Sequence, residues 1–253
     1  MMEEYFLSVR WKNRAMTAEQ YLAFSKGLLQ TLIQFDPVFA NLFSWGQAPS
    51  QKAWFAQDYS DLDDKVFPQI NEEDLRYQNP DPDNWELALD STCFKGFRMS
   101  YSNTDILEEG QLTVSIGAGA MDDDILNVVG IEFPKVNYPQ FYEYDFVSDL
   151  MKVVIEYCQP QHGYAISHPF WEAVELEGEP IGTCPIGWLT YLADASANDL
   201  LPPDVEREVQ STGGTLITLK HSPPPSTDNP EDIANAIRIR DILMPLLVNE
   251  VVG

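Results

Sequence analysis

Residues 92–133 read TCFKGFRMSYSNTDILEEGQLTVSIGAGAMDDDILNVVGIEF, and this stretch decides the fold class. It contains three runs of mostly apolar residues, which predict strands over residues 92–101, 111–117 and 125–133. Asn103, Thr104 and Asp105 separate the first two runs, and the Gly- and Asp-rich residues 117–124 separate the last two. Both separators have the composition of turns. Strands that follow one another without an intervening helix predict an antiparallel sheet.

The segments before and after this stretch supply helices. Residues 3–11 alternate in hydrophobicity and predict a strand, and Thr17 and Gln20 have the spacing of a capping box, which predicts a helix from there to about residue 34. Asp36 and Pro37 end that helix, because the residue before a proline avoids helical geometry. Residues 46–85 are polar and aromatic and are predicted to form loops with one or two short helices. Further predicted elements are helices over 138–157 and 230–248 and strands over 163–167, 185–192, 205–211 and 214–220.

This order of elements predicts an α+β fold, with a mainly antiparallel sheet flanked by helices. We interpret residues 1–253 as a single domain. Residues 1–133 and 134–253 repeat parts of the same element order, so we hypothesise that they are two related sub-structures.

The charge of the chain excludes several classes of function. With 15 basic and 40 acidic residues the formal net charge is −25, and there is no run of Lys or Arg that could hold a nucleic-acid backbone. Direct nucleic-acid binding is therefore not expected. No apolar window is long enough for a membrane span, the N-terminus lacks the features of a signal peptide, and three widely spaced cysteines suit a reducing compartment. We expect a cytoplasmic protein with no membrane association.

The acidic charge is concentrated in the second half of the chain. Residues 121–253 contain 22 acidic and 6 basic residues, a net charge of 6 − 22 = −16. Such a field keeps a protein soluble, and it also attracts a basic partner over a distance and raises the association rate.

Three motifs contain residues that could bind a nucleotide or a metal, but each is better explained as a structural feature. Ser115 to Asp122 resembles a dinucleotide-binding loop, but an aspartate stands where the third glycine belongs, so a hairpin turn is predicted. His162 and His168 are six residues apart in a predicted strand and could share one face as metal ligands, although neither has a carboxylate at the spacing of a metalloprotease motif. The aspartates at 61–64 and 122–124 lack the glycine and distal glutamate of a calcium loop.

Three segments together resemble the immunity protein 52 family of bacterial polymorphic-toxin and type VI secretion immunity proteins. They are the opening strand and helix at residues 11–19, the segment His168, Pro169, Phe170 and Trp171, and the strand at residues 187–192, which reads GWLTYL. The resemblance implies an α+β cytoplasmic protein without enzymatic activity, catalytic residues, metal or cofactor. It also implies a cognate toxin as partner, which for this family resembles a nuclease of the restriction-endonuclease fold.

A nuclease presents a basic cleft to DNA, and an acidic protein can occupy that cleft or its rim. Carboxylates supply specificity and association rate, while exposed aromatic side chains supply affinity. Charge and turn position select two groups of candidate partner-binding residues. They are Asp122, Asp123 and Asp124 in one turn, and Asp61, Asp63 and Asp64 beside Trp54 and Tyr59.

Two other classes of function remain open from the sequence. One is a metal-dependent hydrolase that uses His162, His168 and neighbouring acidic residues. The other is an acidic adaptor protein of a secretion system that has no toxin partner.

Overall fold

The computed structural model describes residues 3–45, 52–70, 86–106, 110–122, 125–175 and 184–249. Within these ranges the chain forms ten strands and six α-helices, and all the strand pairs whose register is resolved are antiparallel. The predicted α+β class is confirmed. The chain divides into two compact units, which we name the central unit (Arg10–Ile131) and the terminal unit (Met1–Val9 with Glu132–Gly253). That the halves of the chain are related sub-structures stays a prediction.

The first helix of the central unit begins where the sequence predicts. The central unit contains the end of β1 (Tyr5–Trp11) and then α1 (Ala18–Phe35). Thr17 caps α1: its hydroxyl accepts the Gln20 backbone N–H at 3.2 Å, and the Gln20 side chain accepts the Thr17 N–H at 3.0 Å. This reciprocal pair is the predicted capping box, and it satisfies two backbone donors that the helix itself cannot satisfy. The helix ends at Asp36, also as predicted.

Within its described residues the central unit also contains five strands, one short α-helix and 3₁₀ turns at Pro37–Phe39 and Phe67–Gln69. The strand order is β3-β2-β4-β5-β6. Their bounds are β2 (Phe43–Trp45), β3 (Lys52–Trp54), α2 (Leu62–Val66), β4 (Lys95–Ser102), β5 (Thr113–Ala120) and β6 (Asn127–Glu132, whose last residue belongs to the terminal unit). The sequence missed β2 and β3 because each has only three residues.

One side of the central sheet packs on α1. The Tyr21 ring lies 5.3 Å from the Phe97 ring, and its hydroxyl donates to the Ile116 carbonyl at 3.0 Å. The opposite side of β4 and β5 carries Arg98 and several hydroxyl side chains, of which Ser100 and Ser115 share a hydrogen bond of 2.8 Å. Burial alternates over residues 113–116 of β5, as is typical of an antiparallel strand with one packed face, whereas residues 117–120 are all buried.

The predicted hairpin turn at Ser115–Asp122 is wrong in its position. β5 continues through Ala120, and the chain turns only at Met121. Gly117 leaves room for the Arg98 guanidinium, since an added Cβ would lie 3.3 Å from Arg98 Nε, and Gly119 adopts a positive φ of 87°. Here glycine permits a distorted strand in which other side chains would be strained.

The terminal unit has the strand order β1-β7-β8-β10-β9. Its elements are α3 (Tyr144–Cys158), β7 (His162–Ser167), α4 (His168–Val174), β8 (Leu189–Leu192), α5 (Ser196–Leu200), β9 (Glu206–Val209), β10 (Thr215–Thr218) and α6 (Pro230–Asn249). The strands β7, β8 and β10 are buried along their whole length.

Helices cover both faces of the terminal sheet. On one face an added Cβ at Gly163 would meet Val9 and Met151, and Met151 belongs to α3. On the other face Tyr164 and Ile166 join one apolar cluster with Phe170 of α4 and Ile239 of α6. The sequence missed α4 and read His168 as a strand end; in the structure Ser167 caps that helix and Pro169 occupies its first turn, where proline is favoured.

Candidate partner-binding surface

The predicted acidic residues at 61–64 lie where a loop enters α2, and this segment is fastened to α1. We name residues 58–64, which include the first turn of α2, the acidic loop. The Gln30 side-chain amide donates to the Asp58 carbonyl at 2.8 Å, and the Lys26 ammonium donates to the Ser60 carbonyl at 3.1 Å. Two α1 side chains thus hold the backbone of the loop, so its carboxylates are presented from a fixed position.

Tyr59 is the internal anchor of the acidic loop. Its side chain is fully buried, and its hydroxyl donates to the Phe39 carbonyl at 2.7 Å. Its φ of 55° is unusual for a residue other than glycine, so the contacts around it must outweigh that strain. Because the ring is inaccessible, Tyr59 positions the loop, and we do not retain it among the residues proposed to touch a partner.

Asp61 also serves the loop itself. Its Oδ1 accepts the Ala56 N–H at 2.8 Å and its Oδ2 lies 2.5 Å from the Lys65 ammonium. The hydrogen bond from Lys65 holds the pKa of Asp61 below its usual value. Most of the hydrogen-bonding capacity of this carboxylate is already used.

The other carboxylates of the loop are more available. Asp63 is half exposed and pairs with Lys26 at 3.0 Å. Asp64 is exposed, and its side chain forms no ion pair or hydrogen bond with the described part of the chain. Asp58 is exposed as well, and hydrogen bonds from Ser60 lower its pKa. Asp58 and Asp64 are therefore the charges that the loop offers to solvent.

Trp54 lies beside the acidic loop at the end of β3. Its side chain is 48% exposed, and its ring packs 4.8 Å from the ring of Phe43, which is buried. Lys65 donates a hydrogen bond to the Trp54 carbonyl and so links the tryptophan to α2. An exposed tryptophan on a fixed backbone has the properties of an interface anchor.

Asp122 is in a separate turn. Its N–H and that of Met121 both donate to the Phe94 carbonyl, at 3.1 and 2.8 Å, and the Asn13 amide donates to the Asp122 carbonyl. The Asp122 side chain is half-buried. Asp123 and Asp124 lie outside the described residues, so their part of the prediction has no structural description.

The two predicted acidic groups do not form one site. The Asp122 turn is fastened to Asn13, which precedes α1, whereas the acidic loop is fastened to Lys26 and Gln30 inside that helix. Lys26 lies eight residues beyond the start of α1, which corresponds to about 12 Å along the helix axis. Sequence reasoning also missed Lys26 and Gln30, since nothing in their local sequence marks a contact with a loop 28 to 37 residues away.

The two histidines of the hydrolase alternative are placed differently. His162 is buried in β7, while His168 is exposed at the start of α4 with its ring stacked 4.6 Å from Phe6. Among the described ranges of the chain, no group of three or more His, Cys, Asp or Glu side chains could hold a metal ion. In the same ranges no helix is long and apolar enough to cross a bilayer.

The fold and this surface define an antiparallel α+β protein with an ordered acidic loop beside an exposed tryptophan. Among solved structures, the fold is similar to that of the Pseudomonas aeruginosa T6SS protein PA0821, with a TM-score of 0.54 and 16% identity. The similarity covers 97% of this chain and 76% of that chain. At this level of identity the likeness concerns the fold alone. No curated protein sequence matches the chain.

The model of the immunity protein 52 family matches residues 135–246. This match confirms the resemblance that the sequence motifs indicate, and it supports an immunity role. The matched residues lie within the terminal unit and include two of the three motifs, at 168–171 and 187–192. The candidate contact residues lie in the central unit, outside the match.

Proposed function

We propose that this chain is a cytoplasmic immunity protein that binds and neutralises a cognate antibacterial toxin. The observation that carries the proposal is the family match over residues 135–246. The toxin is a basic nuclease of the restriction-endonuclease fold, delivered by a type VI secretion system. The net charge of −25 supports a basic partner, because opposite charges accelerate association.

The contact region of this proposal is the exposed part of the acidic loop with Trp54. Its carboxylates need little rearrangement on binding, since Lys26, Gln30 and Tyr59 already hold the loop. A preordered loop loses little conformational entropy when a partner binds. Asp58 and Asp64 supply charge, and Trp54 supplies apolar area at one side. The Asp122–Asp124 turn is a second, separate acidic contact.

The test of the function is co-purification from the native cell. The tagged chain serves as bait and is washed at low and at high salt. We expect a roughly equimolar basic protein that degrades DNA after it is separated from the bait, and whose toxicity is suppressed when this chain is co-expressed. A folded bait that returns alone from cells that express a neighbouring toxin gene would exclude the proposal.

A charge-matched pair of variants tests the contact region. Asp64→Lys and Glu156→Lys change the net charge equally, and both residues are exposed, but Glu156 lies on α3 of the terminal unit. We expect Asp64→Lys to lower the association rate several-fold more than Glu156→Lys at low salt. Equal effects would show that only the overall charge matters and would remove the loop from the interface.

Reversal of Asp122, Asp123 and Asp124 together tests the second contact. We expect weaker toxin binding than for a triple reversal of exposed acidic residues elsewhere. An unchanged affinity and association rate would remove this turn from the proposal and leave the acidic loop as the contact region.

A further inference from the structure

The two units differ at the outer edge of their last strand. In the central unit β3 is the last strand, and the Lys65 ammonium occupies its Trp54 carbonyl. In the terminal unit β9 is the last strand, and no further strand pairs with it in the described ranges of the chain. Its Glu206 and Glu208 side chains are more than half exposed, and Val209 is 58% exposed. Among the residues that the structure describes, the edge of β9 is therefore unpaired.

The hairpin between β9 and β10 determines which backbone groups face outward. The Gln210 N–H donates to Gly214 at 2.8 Å and the Gln210 carbonyl accepts from Gly213 at 2.9 Å, so Gln210 is hydrogen-bonded across the hairpin. Bonded and non-bonded residues alternate along an antiparallel pair. Glu208 and Glu206 therefore point their backbone groups toward β10. The N–H and C=O groups of Arg207 and Val209 point away from the sheet.

The side chains of β9 give this edge a chemical preference. Glu206 and Glu208 share one face: Glu208 pairs with Lys152 of α3 at 2.8 Å, and Glu206 contacts the His221 ring nitrogen at 2.7 Å. Arg207 points to the other face, where it donates to Asn198 and to the Pro202 carbonyl. It is thus turned away from the two glutamates. An added strand would meet two carboxylates on one face and Val209 on the other.

The same pattern disfavours antiparallel pairing of β9 with a second copy of the chain. A two-fold axis normal to the sheet keeps each side chain on its own face. The registers with the greatest overlap of β9 therefore place Glu206 opposite Glu208 of the other copy or Glu208 opposite its own counterpart. Like charges directly opposite each other are destabilising. Charged edges of this kind are a common protection against self-association.

We propose that the open edge of β9 binds an extended strand of a basic protein, one that carries Lys or Arg at alternate positions and a small apolar residue between them. The outward groups of Arg207 and Val209 supply the main-chain hydrogen bonds, and Glu206 and Glu208 select the basic side chains. This is strand addition, in which the backbone gives affinity and alternate side chains give specificity. The site is separate from the acidic loop and does not depend on the partner being a toxin.

In the first test, a capped hexapeptide of alternating lysine and valine is added to the full chain. The hydrogen exchange of the chain's backbone amides is then measured by NMR. We expect the peptide to slow exchange at the Arg207 and Val209 amides but not at Glu208, whose amide is already bonded to β10. Val209→Pro should abolish binding without unfolding the hairpin, because proline is tolerated where an edge N–H faces solvent. Val209→Thr keeps the N–H and should bind like the original chain.

The second test reverses the charge preference. The original chain should bind the lysine peptide more tightly than a glutamate–valine peptide, and Glu206→Lys with Glu208→Lys should invert that order, each by about tenfold. Normal binding by Val209→Pro, protection without the alternate pattern, or equal binding of both peptides would overturn the proposal. Concentration-dependent dimers of the original chain that Val209→Pro removes would identify a second copy as the occupant instead. A failed co-purification of toxin leaves these outcomes unaffected, so the two proposals are tested separately.

Discussion

The central and terminal units use the same type of sheet in different surroundings. In the terminal unit helices lie on both faces, and β7, β8 and β10 are buried at every position. In the central unit α1 covers one face, and the opposite side of β4 and β5 carries Arg98 and a row of hydroxyl side chains. The difference shows that antiparallel pairing alone does not decide which surface of a sheet reaches solvent; the number of helix layers does.

The two units also differ in what they offer to a partner. The family match lies in the terminal unit, whereas the acidic loop and the exposed Trp54 lie in the central unit. A doubly covered sheet leaves mainly its edge available, which in the terminal unit is β9. The central unit can use its loops.

The largest effect is expected in the apolar core of the terminal unit. Phe170 of α4 is 1% exposed and packs among Tyr164, Ile166 and Ile239. Phe170→Ala should lower the free energy of unfolding by about 3–5 kcal/mol, because it removes buried surface and leaves a cavity. The matched variant Trp54→Ala in the central unit should cost less than about 1 kcal/mol, since that ring is half exposed. Urea denaturation measures both, and comparable losses would contradict the contrast.

A pair of strand glycines compares a closely packed position with an unobstructed one. A Cβ at Gly163 of β7 would lie 2.7 Å from Val9 Cγ1 and 3.1 Å from the Ser8 carbonyl, so Gly163→Ala should destabilise the protein by about 1–3 kcal/mol. A Cβ at Gly130 of β6 would meet nothing within 4 Å. Gly130→Ala should be neutral or stabilise the protein by up to about 1 kcal/mol, because glycine loses more entropy on folding. In thermal melts, the melting temperature should fall for Gly163→Ala and should rise or stay unchanged for Gly130→Ala.

Local signals in the sequence predicted much of the fold but little of the site. The capping box of Thr17 and Gln20 acts within one turn, so the start of α1 could be read directly. The helix at His168 was missed because a Ser-x-Pro start to a short helix resembles a strand end until packing decides. The aspartates of the acidic loop could be found from charge. The sequence did not indicate which of these aspartates pairs with Lys65 or Lys26, because tertiary structure determines those pairs.

The carboxylate of Glu3 ties the start of the terminal unit to the segment before α6. Its Oε1 accepts from Ser226 Oγ at 2.9 Å and from the Thr227 N–H and hydroxyl at 2.8 Å, and its Oε2 accepts from Ser167. Burial alone would raise the pKa of Glu3, but these hydrogen bonds outweigh it and hold the pKa below its usual value. The folded state therefore favours the ionised form.

The pKa of Glu3 is lower in the folded state than in the unfolded state. Its stabilisation is therefore fully present when the pH is above the unfolded-state pKa, and it is lost as the pH falls through the folded-state pKa. Glu3→Gln should cost about 1–2 kcal/mol at pH 7, where the carboxylate is replaced by a weaker acceptor. The variant should also lose less stability than the original chain between about pH 5 and pH 3. Urea denaturation at several pH values measures this, and parallel curves would show that Glu3 does not contribute to the pH dependence.

The smallest effects are expected within the acidic loop, and they separate structural carboxylates from available ones. Asp61→Asn weakens the pair with Lys65 but keeps an oxygen for the Ala56 N–H, so the cost should be at most about 1 kcal/mol, as for other exposed ion pairs. Asp64→Asn removes a charge with no protein partner in the described ranges and should change stability by less than about 0.5 kcal/mol. The effects on partner binding should follow the opposite order. Asp64→Asn should lower the association rate more than Asp61→Asn, because the Asp61 carboxylate already bonds Lys65 and the Ala56 N–H whereas Asp64 faces solvent. If Asp61→Asn slowed association more, the loop would have to open on binding and would not act as a preformed surface.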